Sequence, residues 1–205
     1  MQRTSARRLS VLCAVLALTL ASDAWANPRI NVQIFRPSAH PGDLINTWGS
    51  DIPENGFWSA STMLSFGKNP LVFVGFVQGN PTPRRHEVVQ NQFTHELMGS
   101  YALFEWVDIG LNVPIHWVND GEDGGFADTK PFSTVAFGDI RLDPKVRIIR
   151  RSDDTLGFGL AASAMLVIPT GDPDGFVSDG FSWQPGIIAD WKGFGLHLST
   201  NLGVR

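Results

Sequence analysis

Residues 107–118 read V-D-I-G-L-N-V-P-I-H-W-V and alternate without a break. Val107, Ile109, Leu111, Val113, Ile115 and Trp117 fall on one side; Asp108, Gly110, Asn112, Pro114 and His116 fall on the other. Side chains of a strand point to opposite faces in turn, so this stretch makes a ribbon with one oily and one polar face. Soluble strands usually keep that rhythm for about five or six residues. Here it is bounded by Trp106 and Trp117, roughly 36 Å of extended chain at ~3.3 Å per residue. Tilted by about 45°, that length covers roughly 25 Å, the height of the apolar band of an outer-membrane barrel.

The first residues stand apart from this pattern. Arg3, Arg7 and Arg8 form a basic start, residues 9–21 an apolar run, and Ala24, Trp25 and Ala26 an A-x-A cleavage signal. A signal peptide over residues 1–26 is expected, and the apolar run is short for a membrane anchor. The only cysteine, Cys13, lies inside that leader, which leaves no disulfide framework and no cysteine metal site in the mature chain. Cleavage removes three of 16 basic and one of 20 acidic side chains, taking the net charge from −4 to −6. An acidic chain of this kind argues against nucleic acid as a partner. The 21 glycines, 13 prolines and 14 phenylalanines favour turns and strands over helices.

Other segments repeat the two-residue rhythm. Residues 30–35 alternate briefly, and Pro37, Pro41 and Gly42 then open an irregular stretch to residue 56. Strands are expected at 58–66, 71–77, 92–104, 135–149, 156–168, 181–191 and 194–204, with Gly67, Lys68 and Asn69 as a hairpin turn and 79–85 as a loop. In 135–149, Ile140, Leu142, Val146 and Ile148 face one way, and Asp139, Arg141, Asp143, Lys145 and Arg147 the other. Five charges in alternation cannot sit in a dry core without partners. The ladder could line a watered pore, or it could pair with Glu96, Asp108 or Asp190 and fill the lumen. Trp106, Trp117, Trp183 and Trp191 read as an interfacial girdle. Long connections at 79–90, 119–134 and 169–180, the last two acid-rich, alternate with short turns at 67–69, 105–106, 152–154 and 192–193, as outer-membrane barrels do. Counting eight strands, with 30–35 as a ninth, leaves an odd number and no returning partner. The expectation is therefore an antiparallel transmembrane β-barrel over 57–205 that is incomplete as it stands, preceded by a short segment at 27–56. Its open edge invites self-association.

The strand words also carry a family likeness. I-N-V-Q-I-F-R-P (30–37), Y-A-L-F-E-W-V-D-I-G-L-N-V-P (101–114), F-G-D-I-R-L-D-P-K-V-R (137–147), G-F-G-L-A (157–161) and V-I-P-T-G-D (167–172) resemble the N-terminal barrel of OmpA-family outer-membrane proteins. In that group a transporter-like barrel precedes acidic repeats and a peptidoglycan-binding domain. The resemblance implies a barrel, an outer-membrane address with lipid as the surrounding partner, and no catalytic residues. The acidic repeats and the peptidoglycan-binding domain have no counterpart in this sequence, so their functions are not implied.

Other constellations are weaker. Asp172, Asp174 and Asp179 supply oxygen ligands without the spacing or distal Glu of an EF-hand, and the same holds for Asp120, Glu122 and Asp123. His95, His116 and His197 are scattered over separate strands. A hydrolase built from Ser163, His116 and Asp139 lacks any G-x-S-x-G elbow. No cofactor is expected and no enzyme. The function expected is passive: a pore-like or structural element of the outer membrane. The alternative is a soluble secreted β-sandwich, a binding module of carbohydrate-binding type.

Overall fold

The computed structural model describes residues 31, 33, 35–77, 80–119, 135–151, 156–171, 177–178 and 180–204. Among them there is no helix. The strands are β1 (Trp58–Val77), β2 (Asn80–Leu103), β3 (Val107–Asn119), β4 (Ala136–Phe137), β5 (Ile140–Ile149), β6 (Leu156–Ile168), β7 (Ser182–Gly193) and β8 (Leu196–Gly203). They form one antiparallel sheet in the order β1-β2-β3-β5-β6-β7-β8, with β4 paired to β3, and the sheet curls into a half-barrel. Each strand pairs with its neighbour in sequence, the outcome short connections favour. Among the described residues β1 pairs with β2 alone and β8 with β7 alone.

Register keeps the oily positions on one face. Leu111 stands opposite Gly99 on β2 and Leu142 on β5; Trp191 stands opposite Phe158 and Leu198. A slip by one residue would turn every such side chain inward, so the alternating pattern itself fixes the pairing. The outward residues are exposed: Leu64, Phe66, Leu97, Ile109, Leu111, Ile187, Leu198 and Leu202. Many of the buried ones are polar or charged: Glu96, Asp108, Asn112, His116, Asp143 and Lys145 are each 1% exposed or less. The distribution is the reverse of a water-soluble domain, where charged groups are almost never fully buried. A sandwich would press two oily faces together; here the described residues make a single sheet whose oily face is open.

Several local expectations need correction. Gly67, Lys68 and Asn69 do not turn the chain. β1 runs through them, with Lys68 opposite Asn91 and the register shifting before Leu71 meets Val89. Asn69 takes a left-handed φ of 52°, so the site is a bulge. Residues 58–66 and 71–77 are thus one strand, and the expected loop at 79–85 is largely the start of β2. β1 therefore begins at the short-turn end of the sheet and needs no strand before it, but the seven strands of the path are still odd in number and β8 runs toward the long-loop end. The expected strand 135–149 is broken at Gly138 and Asp139 into β4 and β5. Phe104 and Glu105, rather than Glu105 and Trp106, are the central residues of the β2–β3 turn, and Phe194 and Gly195 those of β7–β8. Of residues 30–35, the described Asn31, Gln33 and Phe35 are not in a strand. The leader, the turn at 152–154 and the acidic groups Asp120, Glu122, Asp123, Asp172, Asp174 and Asp179 lie outside the described residues.

Candidate functional site

The concave face of the sheet carries the ladder, and the chain before β1 lies across it. Residues 35–56 form no strand of the sheet, yet Ala39, His40, Trp48, Ser50 and Ile52 are buried. Irregular backbone offers carbonyl and amide groups that a strand would have used in pairing. Here they meet the inward charges. Arg141 donates to the Pro37 carbonyl oxygen, and Arg147 donates to the Ile52 carbonyl at 3.1 Å and to that of Glu105. On β8 the Trp48 carbonyl accepts from Ser199 Oγ and Asn201 Nδ2, both at 2.8 Å, while the Trp48 N–H donates to Asn201 Oδ1 at 2.7 Å.

Side chains of this strap do the rest. Asp43 Oδ1 lies 3.4 Å from Lys145 Nζ and accepts the Gly49 N–H at 2.8 Å; its Oδ2 accepts from Ser38 Oγ at 2.7 Å. His40 Nδ1 donates to Asp108 Oδ2 at 2.8 Å, with both side chains sealed from solvent. Ser50 gives its N–H and its Oγ to the Asp190 carboxylate, at 2.9 and 2.6 Å. Arg151 Nη1 reaches Asp190 at 3.1 Å and its Nη2 binds Asp51. Close approach here needs a glycine, because a Cβ on Gly159 would collide with Ser50 Oγ and Asp190 Oδ1.

The ladder is therefore gathered on one buried wall. Asp139, Arg141, Asp143 and Lys145 are 4% exposed or less, and Arg147 is half-buried. Arg141 pairs within the ladder, its Nε 2.8 Å from Asp143 Oδ2. The sequence-expected partners are engaged elsewhere: Glu96 by Gln33, Asp108 by His40, and Asp190 by Ser50 and Arg151. Sequence reading missed Ser38, His40, Asp43 and Ser50 as interior groups. The available signal was the ladder itself, five charges on strands that could not all satisfy one another.

The four tryptophans divide between the two ends of the sheet. Trp106 and Trp191 sit at the short-turn end beside Phe104 and Phe194, with ring centroids 6.2 and 6.3 Å apart. At the long-loop end Trp117 lies 5.4 Å from Phe93, and Trp183 stands opposite Leu166. All four are half-buried. The hydrolase trio is not assembled. His116 Nδ1 lies 2.9 Å from Thr94 Oγ1 and 3.3 Å from Gln92 Nε2, whereas Ser163 is on β6, beyond the intervening β5. No group of three or more His, Cys, Asp and Glu among the described residues is placed to hold a metal.

Fold and interior together define an all-β, antiparallel half-barrel, polar within and apolar without, whose concave face is covered by its own N-terminal strap. Residues 84–205 match the family described as "Putative MetA-pathway of phenol degradation", and the chain belongs to it. No curated protein and no solved structure matches the chain.

Proposed function

We propose that this protein is an outer-membrane β-barrel, secreted through a cleaved leader, that serves passively in the handling of phenolic compounds at the cell envelope. The observation that carries the membrane part is the inversion of polarity: leucines and phenylalanines outside, Lys145, Glu96 and Asp143 inside. A face of this extent left to water would be an aggregation site, whereas against hydrocarbon it is the expected lining. The 13-residue β3 and β6 are long enough to cross the apolar band at a tilt, which takes about 9–11 residues. The aromatic residues at both ends of the sheet and the strand motifs that resemble an OmpA-family barrel support the same address. The phenolic part rests on the family's description.

The strap favours a filled lumen over an open pore. Its bonds to Glu96, Asp108, Arg141, Lys145 and Asp190 occupy the groups that an aqueous channel would leave to water. Fractionation tests the address: the protein should sediment with outer membrane, resist salt and alkaline extraction, and migrate differently on a gel before and after boiling. Release by salt alone would overturn it. In planar bilayers the folded protein should give no steady conductance, and regular single-channel steps would sink the filled lumen.

A further inference from the structure

The strap has a direction. Asn31 donates from Nδ2 to the Val177 carbonyl oxygen at 3.4 Å, in the long connection that follows β6. Gln33 bonds Glu96, which the register places level with Pro114, in the half of β3 toward the long loops. The Pro37 carbonyl meets Arg141, level with Asn112. His40 and Asp43 meet Asp108 and Lys145, a facing pair one residue from the start of β3. The chain then crosses to β7 and β8 through Trp48 and Ser50. Asp51 reaches Arg151 in the short β5–β6 connection, and the Ile52 carbonyl reaches Arg147, level with Trp106. Gly56 donates to the Ala102 carbonyl beside the β2–β3 turn, and β1 begins two residues later. The strap therefore enters at the long-loop end and leaves at the short-turn end. Irregular backbone at membrane depth survives only where protein satisfies it, and here Arg141, Arg147, Ser199 and Asn201 do so.

Cleavage after Ala26 leaves Asn27 as the first residue, four before Asn31. Four residues of extended chain reach at most about 14 Å. The 13-residue β3 is about 43 Å long, or roughly 30 Å along the barrel axis at a tilt of about 45°. A mature chain that starts so close to Val177 has no route back to the short-turn end. The charge of the long-loop end agrees: its connections at 119–134 and 169–180 are acid-rich, a favourable setting for a free amine and Arg29. We infer that the N-terminal segment threads the lumen from the outer face to the periplasmic face, so that the mature protein displays its free N terminus at the cell surface. The leader is removed on the periplasmic side, so the new terminus crosses the outer membrane inside the sheet that its own strap fills. The inference rests on the outer-membrane reading above for which end faces out, and on the order of the strap contacts for the threading.

The mature chain has no cysteine, so single cysteines report position in the full-length protein. In intact cells a membrane-impermeant maleimide should label Arg29→Cys and, as the marker of the outer end, Asp174→Cys in the β6–β7 connection. Lys192→Cys, exposed beside the β7–β8 turn, should be labelled only after the outer membrane is permeabilised. If Arg29→Cys does not fold, a short epitope inserted after Asn27 and read by antibody on intact cells replaces it. Labelling of Asp174→Cys in intact cells, with Arg29→Cys or the epitope hidden until permeabilisation, would overturn the threading and leave the envelope address standing. Early labelling of Lys192→Cys, or release of the protein by salt, would overturn the envelope reading on which the display depends.

Discussion

Asp43 and Lys145 show what an interior made of charge demands of single residues. The ammonium is fully buried and has the Asp43 carboxylate 3.4 Å away. Asp43 is better supplied, with Gly49 and Ser38 also donating to it. Losing one partner of a buried pair costs about 3–5 kcal/mol when the other is stranded. Asp43→Ala strands Lys145 and frees two donors, so about 3 kcal/mol or more should be lost. Lys145→Met keeps most of the stem volume and leaves Asp43 two hydrogen bonds; about 1 kcal/mol is expected. The double variant should fall short of the sum, since the two groups share a partner. Denaturant midpoints of the detergent-folded protein give the comparison, and equal losses for the two single variants would contradict it. None of this was legible from sequence. The residues lie 102 positions apart, and Ser50 lies 140 from Asp190. Ser38, Asp43 and Ser50 stand among Pro37, Pro41, Gly42 and Gly49, the composition of a solvated loop. That irregular backbone supplies part of what the ladder needed, because its unpaired carbonyls at Pro37 and Ile52 receive Arg141 and Arg147.

The strands themselves were legible where alternation was strict. β3, β6 and β7 fall within two residues of their expected limits because a two-residue period tolerates no other regular structure. The turns were less so. Phe104 and Glu105 adopt φ of 55° and 59°, the pair of left-handed values of a tight hairpin turn, and Phe194 has 52°. Asn and Gly are the usual residues there; a bulky residue costs about 1–2 kcal/mol. Both phenylalanines are exposed, at 65% and 78%. Their cost is consistent with rings placed to meet an interface beside Trp106 and Trp191. Replacing Phe104 and Glu105 by Asn and Gly should therefore raise the denaturant midpoint in micelles, by about 1 kcal/mol. The same change should reduce the yield inserted into lipid vesicles. A variant that inserts as well as the parent would remove the anchoring role. At Asn69 the ambiguity was chemical: an asparagine with left-handed φ serves a bulge as well as a turn. Only the pairing of Lys68 with Asn91 and Leu71 with Val89 separates the two, and that pairing lies outside the local sequence. Asn69→Val should destabilise the β1–β2 hairpin by about 1 kcal/mol, read from the same midpoints.

At the scale of the molecule, one substitution separates a sheet in lipid from a sheet in water. Leu111 is near the middle of β3, 44% exposed, with Gly99 and Leu142 as its outward neighbours. In an aqueous protein Leu111→Arg would be a surface change, within about 0.5 kcal/mol of neutral. At the midplane of a bilayer an outward arginine costs about 2–4 kcal/mol. Asn112, one residue on, points to the opposite face at 1% exposure, where its side chain interacts with the buried Glu96 carboxylate. Asn112→Leu takes a polar partner from the buried Glu96 carboxylate, so it should cost about 1 kcal/mol whatever surrounds the outer face. The two variants form a pair whose order depends on the surroundings of the outer face. In lipid vesicles Leu111→Arg should be the damaging one, with loss of the heat-modifiable form and a midpoint shift of about 2 kcal/mol or more. Near the ends of the same strand the penalty should fade: Val107→Arg, beside Trp106, should cost about 1 kcal/mol or less because its head reaches the interface. A depth-dependent series of this kind is a property of hydrocarbon thickness and has no counterpart on a water-facing sheet. A flat series, with Leu111→Arg as mild as Val107→Arg, would mean that the oily face is covered by protein or exposed to water.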